Sequence, residues 1–204
     1  GAGNSGKSGR NTSDANGVMT MGWGLLVLGV VLWTAAHVFK RVAPDRRAAM
    51  GAAGRGPISV AIFVSLALMI LGYRMADGAF FWGRSPALVG INNLLMLVAV
   101  YLFAASGMKT AITARIRHPQ LSAVKAWALA HLLVNGDTPS FVLFGGLLAW
   151  AVFEVILINK QTEWARPAGP FPARKEAIAV VATLVVYGVI GGIHGALGYS
   201  AFGG

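Results

Sequence analysis

Histidine is the residue type in this chain best suited to chemistry, because a neutral imidazole can coordinate a metal and can carry a proton near neutral pH. The chain has 4 histidines and no cysteine. His37, His118, His131 and His194 all lie in or beside long apolar segments, where an ionisable side chain is costly to place. The absence of cysteine excludes disulfides, iron–sulfur clusters and the covalent attachment of a c-type haem. A zinc site is not expected, because no two histidines are closely spaced and zinc usually takes four ligands.

A b-type haem makes smaller demands, because one or two neutral imidazoles from different helices can hold it in an apolar slot. His131 favours such a role, since Trp127, His131 and Asn135 share one face of a helix. His118 and His194 lie near segment ends, where histidine often serves at the interface or bonds to a backbone carbonyl. The position of His37, late in its segment, leaves both interpretations open.

The composition identifies the solvent that the elements face. Of the 204 residues, 56% are apolar and only 12% are charged, whereas a soluble domain has about 25% charged residues. Six apolar segments follow one another, and about 20 residues are needed to span a bilayer as a helix. We therefore predict an all-α, polytopic membrane bundle of about six transmembrane segments, at residues 22–39, 57–76, 87–106, 121–135, 139–158 and 176–198. The fourth segment is short, and a tight turn at 135–137 predicts a hairpin with the fifth.

The basic residues predict the orientation of the segments, because Lys and Arg collect in cytoplasmic loops. With six segments, one side holds the basic residues of the loops 40–55, 109–117 and 160–175, and the other holds only Arg74 and Arg84 outside the first 20 residues. Both termini are then periplasmic, in a bacterial inner (cytoplasmic) membrane. The net charge of +10 lies in these short loops, so it indicates orientation and contact with membrane lipid, and no nucleic acid partner.

Residues 1–20 are rich in Gly, Ser and Asn and show no apolar periodicity. We interpret them as a disordered extension or a cloning remnant, followed by one transmembrane domain at 21–204. Gly1, Gly6, Lys7 and Ser8 match the spacing of a phosphate-binding loop, but that loop requires a preceding strand and a following helix in an α/β domain. No nucleotide ligand is therefore expected.

Other polar side chains in the segments have structural alternatives. Lys125 and Glu154 lie at comparable depth and either pair or extend to the interface. Asn92 and Asp137 are expected to bond to the backbone. The last segment carries a glycine stripe from Gly188 to Gly198, which predicts close packing against another helix.

The chain from about Met21 to the C-terminus, and most specifically its core at residues 117–151, resembles the NnrU family of bacterial membrane proteins linked to denitrification and nitric oxide metabolism, which is similar to the 15-cis-zeta-carotene isomerase. The resemblance rests on RHPQL at 117–121, KAWALAHLLVNGD at 125–137, LFG at 143–145 and WA at 150–151. It implies a haem b, with His37 and His131 as axial ligands and His118 and His194 near the haem.

Three functions are compatible with this resemblance. The first is a role in nitrogen oxide metabolism, with a nitrite or nitric oxide reductase system as partner. The second is haem-dependent cis-trans isomerisation of a polyene or carotenoid substrate. The third is a non-catalytic accessory or assembly subunit. The sequence marks no polyene site, so the first function is preferred.

Overall fold

The computed structural model describes the backbone of residues 5–202 and the side chains of residues 14–202. The predicted all-α architecture is confirmed, and the helices begin and end within a few residues of the apolar segments except at the N-terminus. In chain order the helices are α1 (Ser5–Val42), α2 (Pro44–Ala49), α3 (Arg55–Met75), α4 (Pro86–Met108), α5 (Pro119–Val134), α6 (Thr138–Ser140), α7 (Gly146–Gln161) and α8 (Ala173–Ala196). A 3₁₀ turn (Ala111–Ala114) precedes α5, and a π-helical turn (Phe141–Gly145) joins α6 to α7.

α1 begins at Ser5, ahead of the first apolar segment. Residues 14–20 of this helix are all exposed. The interpretation of residues 1–20 as a disordered extension or a cloning remnant stays a prediction. Residues 1–4 lie outside the described residues.

The described chain divides into two compact units. The first contains the residues up to Phe81 together with Asp137–Gly146. Its centre is an antiparallel pair formed by α1 and α3, which approach closely at glycines. A Cβ atom added to Gly72 would lie 2.3 Å from the backbone nitrogen of Leu26, and one added to Gly29 would lie 2.7 Å from Cγ of Met69. Small residues therefore bring the two helices into contact, as in many membrane helix pairs.

The segment 137–146 packs onto the same unit. The hydroxyl groups of Tyr73 and Ser140 share a hydrogen bond of 2.9 Å. The backbone N–H of Thr138 donates to the carbonyl of Ala79 over 3.0 Å. Asp137 caps this segment, because its carboxylate accepts from the N–H of Ser140 at 2.8 Å, which confirms its expected use in backbone bonding.

The second unit contains Trp82–Gly136 and Leu147–Gly204 within the described residues. Contacts at the ends of its helices show the direction in which each helix runs. Asn92, early in α4, bonds to the carbonyl of Ala130 late in α5, and Arg117, before α5, bonds to Thr162 after α7. The N–H of Ala111, after α4, bonds to Glu176 in the first turn of α8. Helices α4, α5, α7 and α8 therefore alternate in direction, and α5 and α7 form the predicted hairpin.

Small residues also allow α5 to lie close to α4. Ala123, Ala128 and Ala130 of α5 are completely buried. Ala99 and Leu102 of α4 form a core with Ala123, and Trp127 packs against it. Burial of alanine rather than a large side chain brings the two backbones close together.

Five helices are long and apolar enough to cross a membrane, so the chain is a multi-pass membrane protein; they span Asp14–Val42, Arg55–Met75, Pro86–Met108, Thr138–Gln161 and Ala173–Ala196. Large apolar side chains on these helices face outward, such as Phe63, which is 72% exposed. The fourth predicted segment is α5, whose 16 residues give a length of about 24 Å, short of the roughly 30 Å hydrocarbon layer.

The glycine stripe of α8 does not pack as predicted. Added Cβ atoms at Gly188, Gly192 and Gly195 would meet nothing within 4 Å among the described residues. Only Gly191 is closely covered, and the neighbour there is the ring of Phe202. A close approach of two helices at glycines occurs between α1 and α3. There the glycines are divided between the two helices and do not form one dense stripe.

A candidate haem-ligand site around His131

His131 lies in the last turn of α5 and is partly buried. Its Nδ1 atom forms a 2.9 Å hydrogen bond with the backbone carbonyl of Trp127, one turn earlier. The indole ring of Trp127 lies beside the imidazole, with 5.0 Å between the ring centroids. The face shared by these two residues, predicted from their spacing, is therefore present in the structure.

This hydrogen bond determines the tautomer of the imidazole. A carbonyl oxygen can only accept, so Nδ1 must carry the proton and donate it. In the neutral ring Nε2 then holds the lone pair that can bind a metal. Histidines that ligate metals usually donate their other ring N–H to a carbonyl or carboxylate in this way, and the bond fixes the orientation of the ring.

The backbone around His131 is held by three side chains. The Asn135 amide donates to the carbonyl of His131 at 2.9 Å. The Asn92 amide donates to the carbonyl of Ala130 at 2.8 Å, and the Trp82 indole N–H donates to the carbonyl of Leu132 at 3.1 Å. The carbonyl of Leu132 is among the last carbonyls of the helix, which have no partner within it, so the Trp82 bond replaces a missing one. The carbonyl of His131 also accepts from the backbone N–H of Asn135, and the two asparagine amides add further bonds to the turn that carries His131.

The chain leaves α5 through a very close contact at Gly136. A Cβ atom there would lie 2.2 Å from Cδ2 of Trp82, so only glycine fits under the indole ring. Two short strands, β1 (Phe80–Trp82) and β2 (Gly136–Asp137), pair at this point. Together these contacts fix where the His131 turn ends.

His194 lies late in α8, in the same unit as His131. Its Nδ1 atom bonds to the carbonyl of Ile190 at 2.8 Å, so its Nε2 atom carries the lone pair as well. His194 therefore shares both its unit and its tautomer with His131.

His37 lies in α1 of the first unit and has the same local geometry. Its Nδ1 atom bonds to the carbonyl of Trp33 at 2.8 Å. Its ring lies against the Trp33 indole, with centroids 4.2 Å apart. His37 therefore presents the ligating tautomer in its own unit, and its assignment as an axial ligand stays a prediction.

His118 differs from the other three histidines. Its Nε2 atom lies 2.8 Å from the amide oxygen of Asn159, which accepts, so Nε2 carries the proton. The bond connects the start of α5 to the last turns of α7, next to the bonds from Arg117 to Thr162. This position supports a structural role for His118 in the contact between α5 and α7.

The remaining predicted residues are separate from this geometry. Lys125 is partly buried. Glu154 is only 6% exposed, in the buried stripe of α7. Among the described residues, no three His, Asp or Glu side chains come together as a possible metal site.

Sequence reasoning missed the role of Trp82. In the structure its N–H donates to the carbonyl of Leu132, and its ring covers Gly136. A glycine between Asn135 and Asp137 signals a tight turn, but nothing local in the sequence signals an indole above it. Contacts between distant residues have no periodicity to detect.

Comparison with known proteins gives one match. The family model described as NnrU protein matches residues 25–201. No curated protein and no solved structure matches the chain. The match covers all the elements from the first apolar segment to the end of α8.

Proposed function

Since this chain belongs to the NnrU family, we propose that it is a haem b protein of the bacterial cytoplasmic membrane that acts in nitrogen oxide metabolism. A nitrite or nitric oxide reductase system is the proposed partner. Both termini are proposed to face the periplasm, on the basis of the basic residues in the loops.

One observation carries the haem proposal: Nδ1 of His131 donates to the Trp127 carbonyl, so Nε2 holds the lone pair. Axial imidazoles of haem proteins require this lone pair and a fixed ring orientation. The donor set of the chain fits haem b, because it offers imidazoles and no thiolate. Trp127 adds a flat apolar surface beside the ligand.

His131 is the proposed first axial ligand, and His37 is the proposed second. His194 is the alternative second ligand, because it lies in the same unit as His131 and shares its tautomer. The tautomer of His118 places the proton on Nε2, so we assign it to the contact between α5 and α7.

When bound, haem b would supply an iron that in its ferrous state takes nitric oxide. The protein residues would hold and orient the ligand: the Trp127 carbonyl keeps the proton on Nδ1 of His131, and Asn92 and Trp82 keep the helix turn in place. The apolar surroundings of α5 would limit the access of water to the site. No residue of the chain is assigned a role in a covalent step.

The absorption spectrum of the purified protein tests the haem proposal. Protein from haem-replete cells is expected to show a Soret band, and its pyridine haemochrome should report type b. His131→Ala should abolish or strongly shift the band. His118→Ala is the matched control, since it removes an imidazole of the other tautomer, and it should leave the band in place. A colourless protein, or a band unchanged by His131→Ala, would overturn the proposal.

The His37→Ala and His194→Ala variants identify the second ligand. Loss or a shift of the band in His37→Ala with an unchanged band in His194→Ala supports the proposed pair. The reverse result would move the second ligand to α8.

A binding assay separates the nitrogen oxide role from the isomerase alternative. The ferrous protein should change its spectrum with nitric oxide and leave a 15-cis polyene unconverted. Deletion in cells should lower nitrite or nitric oxide reductase activity in membranes. Conversion of the polyene that depends on His131 would overturn the nitrogen oxide role in favour of isomerisation. Lowered reductase activity with no response to nitric oxide would point to an accessory subunit.

A further inference from the structure

A cavity of about 330 Å³ lies in the first unit, between the end of α1, helix α2 and the beginning of α3. Its lining residues come from three helices that meet at one end of two membrane spans. They are Ala36, His37, Lys40, Arg47, Arg55, Ile58, Ser59 and Ile62.

The lining changes from cationic to apolar along the helices. On α3, Arg55 is the first residue and Ile62 lies about 10 Å further along the axis, at 1.5 Å per residue. On α1, Lys40 lies one turn beyond Ala36, nearer the helix end. The charged end of the cavity is thus at the ends of the spans, and the apolar end is toward the membrane centre.

Three cationic side chains line the charged end, and no carboxylate does. In the described part of the chain, Lys40, Arg47 and Arg55 form no ion pair. Arg47 is held in place, because its guanidinium donates to the carbonyl of Gly51 at 3.0 Å. The site therefore has an excess of positive charge that an anion would neutralise.

We propose that this cavity binds an anionic phospholipid, with the headgroup phosphate among Lys40, Arg47 and Arg55 and the first acyl carbons against Ile58 and Ile62. The polar zone of a bilayer is roughly 5–8 Å thick on each side, which matches the distance over which the lining changes character. Basic pockets between transmembrane helices bind anionic lipid headgroups. A soluble phosphate would use only the charged half of this cavity.

The test is native mass spectrometry of the full-length protein in detergent, titrated with phosphatidylglycerol or phosphatidylcholine. The wild-type protein should retain phosphatidylglycerol preferentially. The Lys40→Gln/Arg55→Gln variant changes two exposed side chains. Each basic residue near a membrane surface contributes about 1 kcal/mol, a little over fivefold in affinity, so the loss of both should lower the affinity for phosphatidylglycerol about thirtyfold. The matched control is Arg46→Gln/Lys160→Gln, which removes the same charge from exposed positions outside the cavity and should retain the affinity.

Three outcomes would overturn the proposal. An equal loss in the control variant would mean general attraction between the lipid and a basic surface. Displacement of the lipid by millimolar inorganic phosphate would make a soluble anion the ligand. The Lys40→Gln/Arg55→Gln variant could instead lose haem absorption and retain the lipid, which would assign the two cationic side chains to the haem carboxylates. Lipid binding is therefore also measured on haem-free protein, so that failure of the lipid proposal is distinguishable from failure of the haem proposal.

Discussion

The indole nitrogen of Trp82 donates a hydrogen bond to the backbone carbonyl of Leu132, 3.1 Å away. Trp82 lies just before α4, and Leu132 lies in the last turn of α5. Since α5 follows α4 in the chain, this bond requires the end of α5 to lie beside the start of α4. The 16-residue helix α5 therefore runs antiparallel to α4, and Trp82 meets its last turn from just before the first turn of α4.

The first prediction is that α5 crosses the membrane. The native chain has no cysteine, so single cysteines at Arg115 and Glu163 can be labelled with an impermeant maleimide. Both are expected to react from the cytoplasmic side, because Arg117 and His118 bond to Thr162 and Asn159. A cysteine at Arg84 should react from the periplasmic side. Labelling of positions 115 and 163 from opposite sides would mean that α5 does not cross.

The second prediction concerns the contact under Trp82. Gly136→Ala places a Cβ atom 2.2 Å from the indole ring, which should lower the free energy of unfolding by about 1–3 kcal/mol, as for other overpacked sites. The midpoint of unfolding in detergent measures the loss. Gly90→Ala, where a Cβ meets nothing within 4 Å, is the control and should not lower the midpoint. Additivity of Gly136→Ala with Trp82→Ala would contradict this contact, because residues that touch should couple.

The third prediction concerns the α1 and α3 pair. Gly72→Ala places its Cβ atom 2.3 Å from the backbone nitrogen of Leu26, and neither backbone can move aside without separating the helices. We expect a loss of about 1–3 kcal/mol in the free energy of unfolding. Gly56→Ala in the same helix meets nothing within 4 Å and should be tolerated. Equal midpoints for the two variants would show that the close approach at Gly72 is not required.

The fourth prediction uses two neighbouring asparagines of α4. Asn92 is buried and donates to the carbonyl of Ala130 at 2.8 Å, whereas Asn93 reaches the carbonyl of Phe202 only at 3.5 Å. Asn92→Ala should lower the free energy of unfolding by about 0.6–2 kcal/mol, within the range for hydrogen bonds between membrane helices. Asn93→Ala should cost less. A larger effect at Asn93 would contradict the order of the two distances.

The sequence predicted the helices well because the bilayer imposes a simple requirement, a run of about 20 apolar residues for each span. The predicted segment 57–76 became α3 at Arg55–Met75, and 87–106 became α4 at Pro86–Met108. The interpretation of residues 1–20 relied on composition alone, and it stays a prediction.

The candidate site was predictable only in part. The four-residue spacing of Trp127 and His131 placed them on one helix face, and the structure shows the bond that this spacing allows. The tautomer of His118 depends on Asn159, which is 41 residues away, so the sequence could not separate it from the other histidines. The glycine contacts of α1 with α3 depend in the same way on which helices become neighbours.

The π-helical turn at Phe141–Gly145 has a consequence for the helix that follows it. Such a turn is an α-helix with one additional residue, and each residue advances an α-helix by about 100°. The extra residue therefore rotates the whole of α7 about its axis. The buried stripe of Leu147, Trp150, Ala151 and Glu154 owes its direction to this rotation, and Val152, Phe153 and Ile156 point outward for the same reason. Deletion of one residue from this turn would exchange part of the two faces and expose Glu154, although every side chain of α7 would be retained.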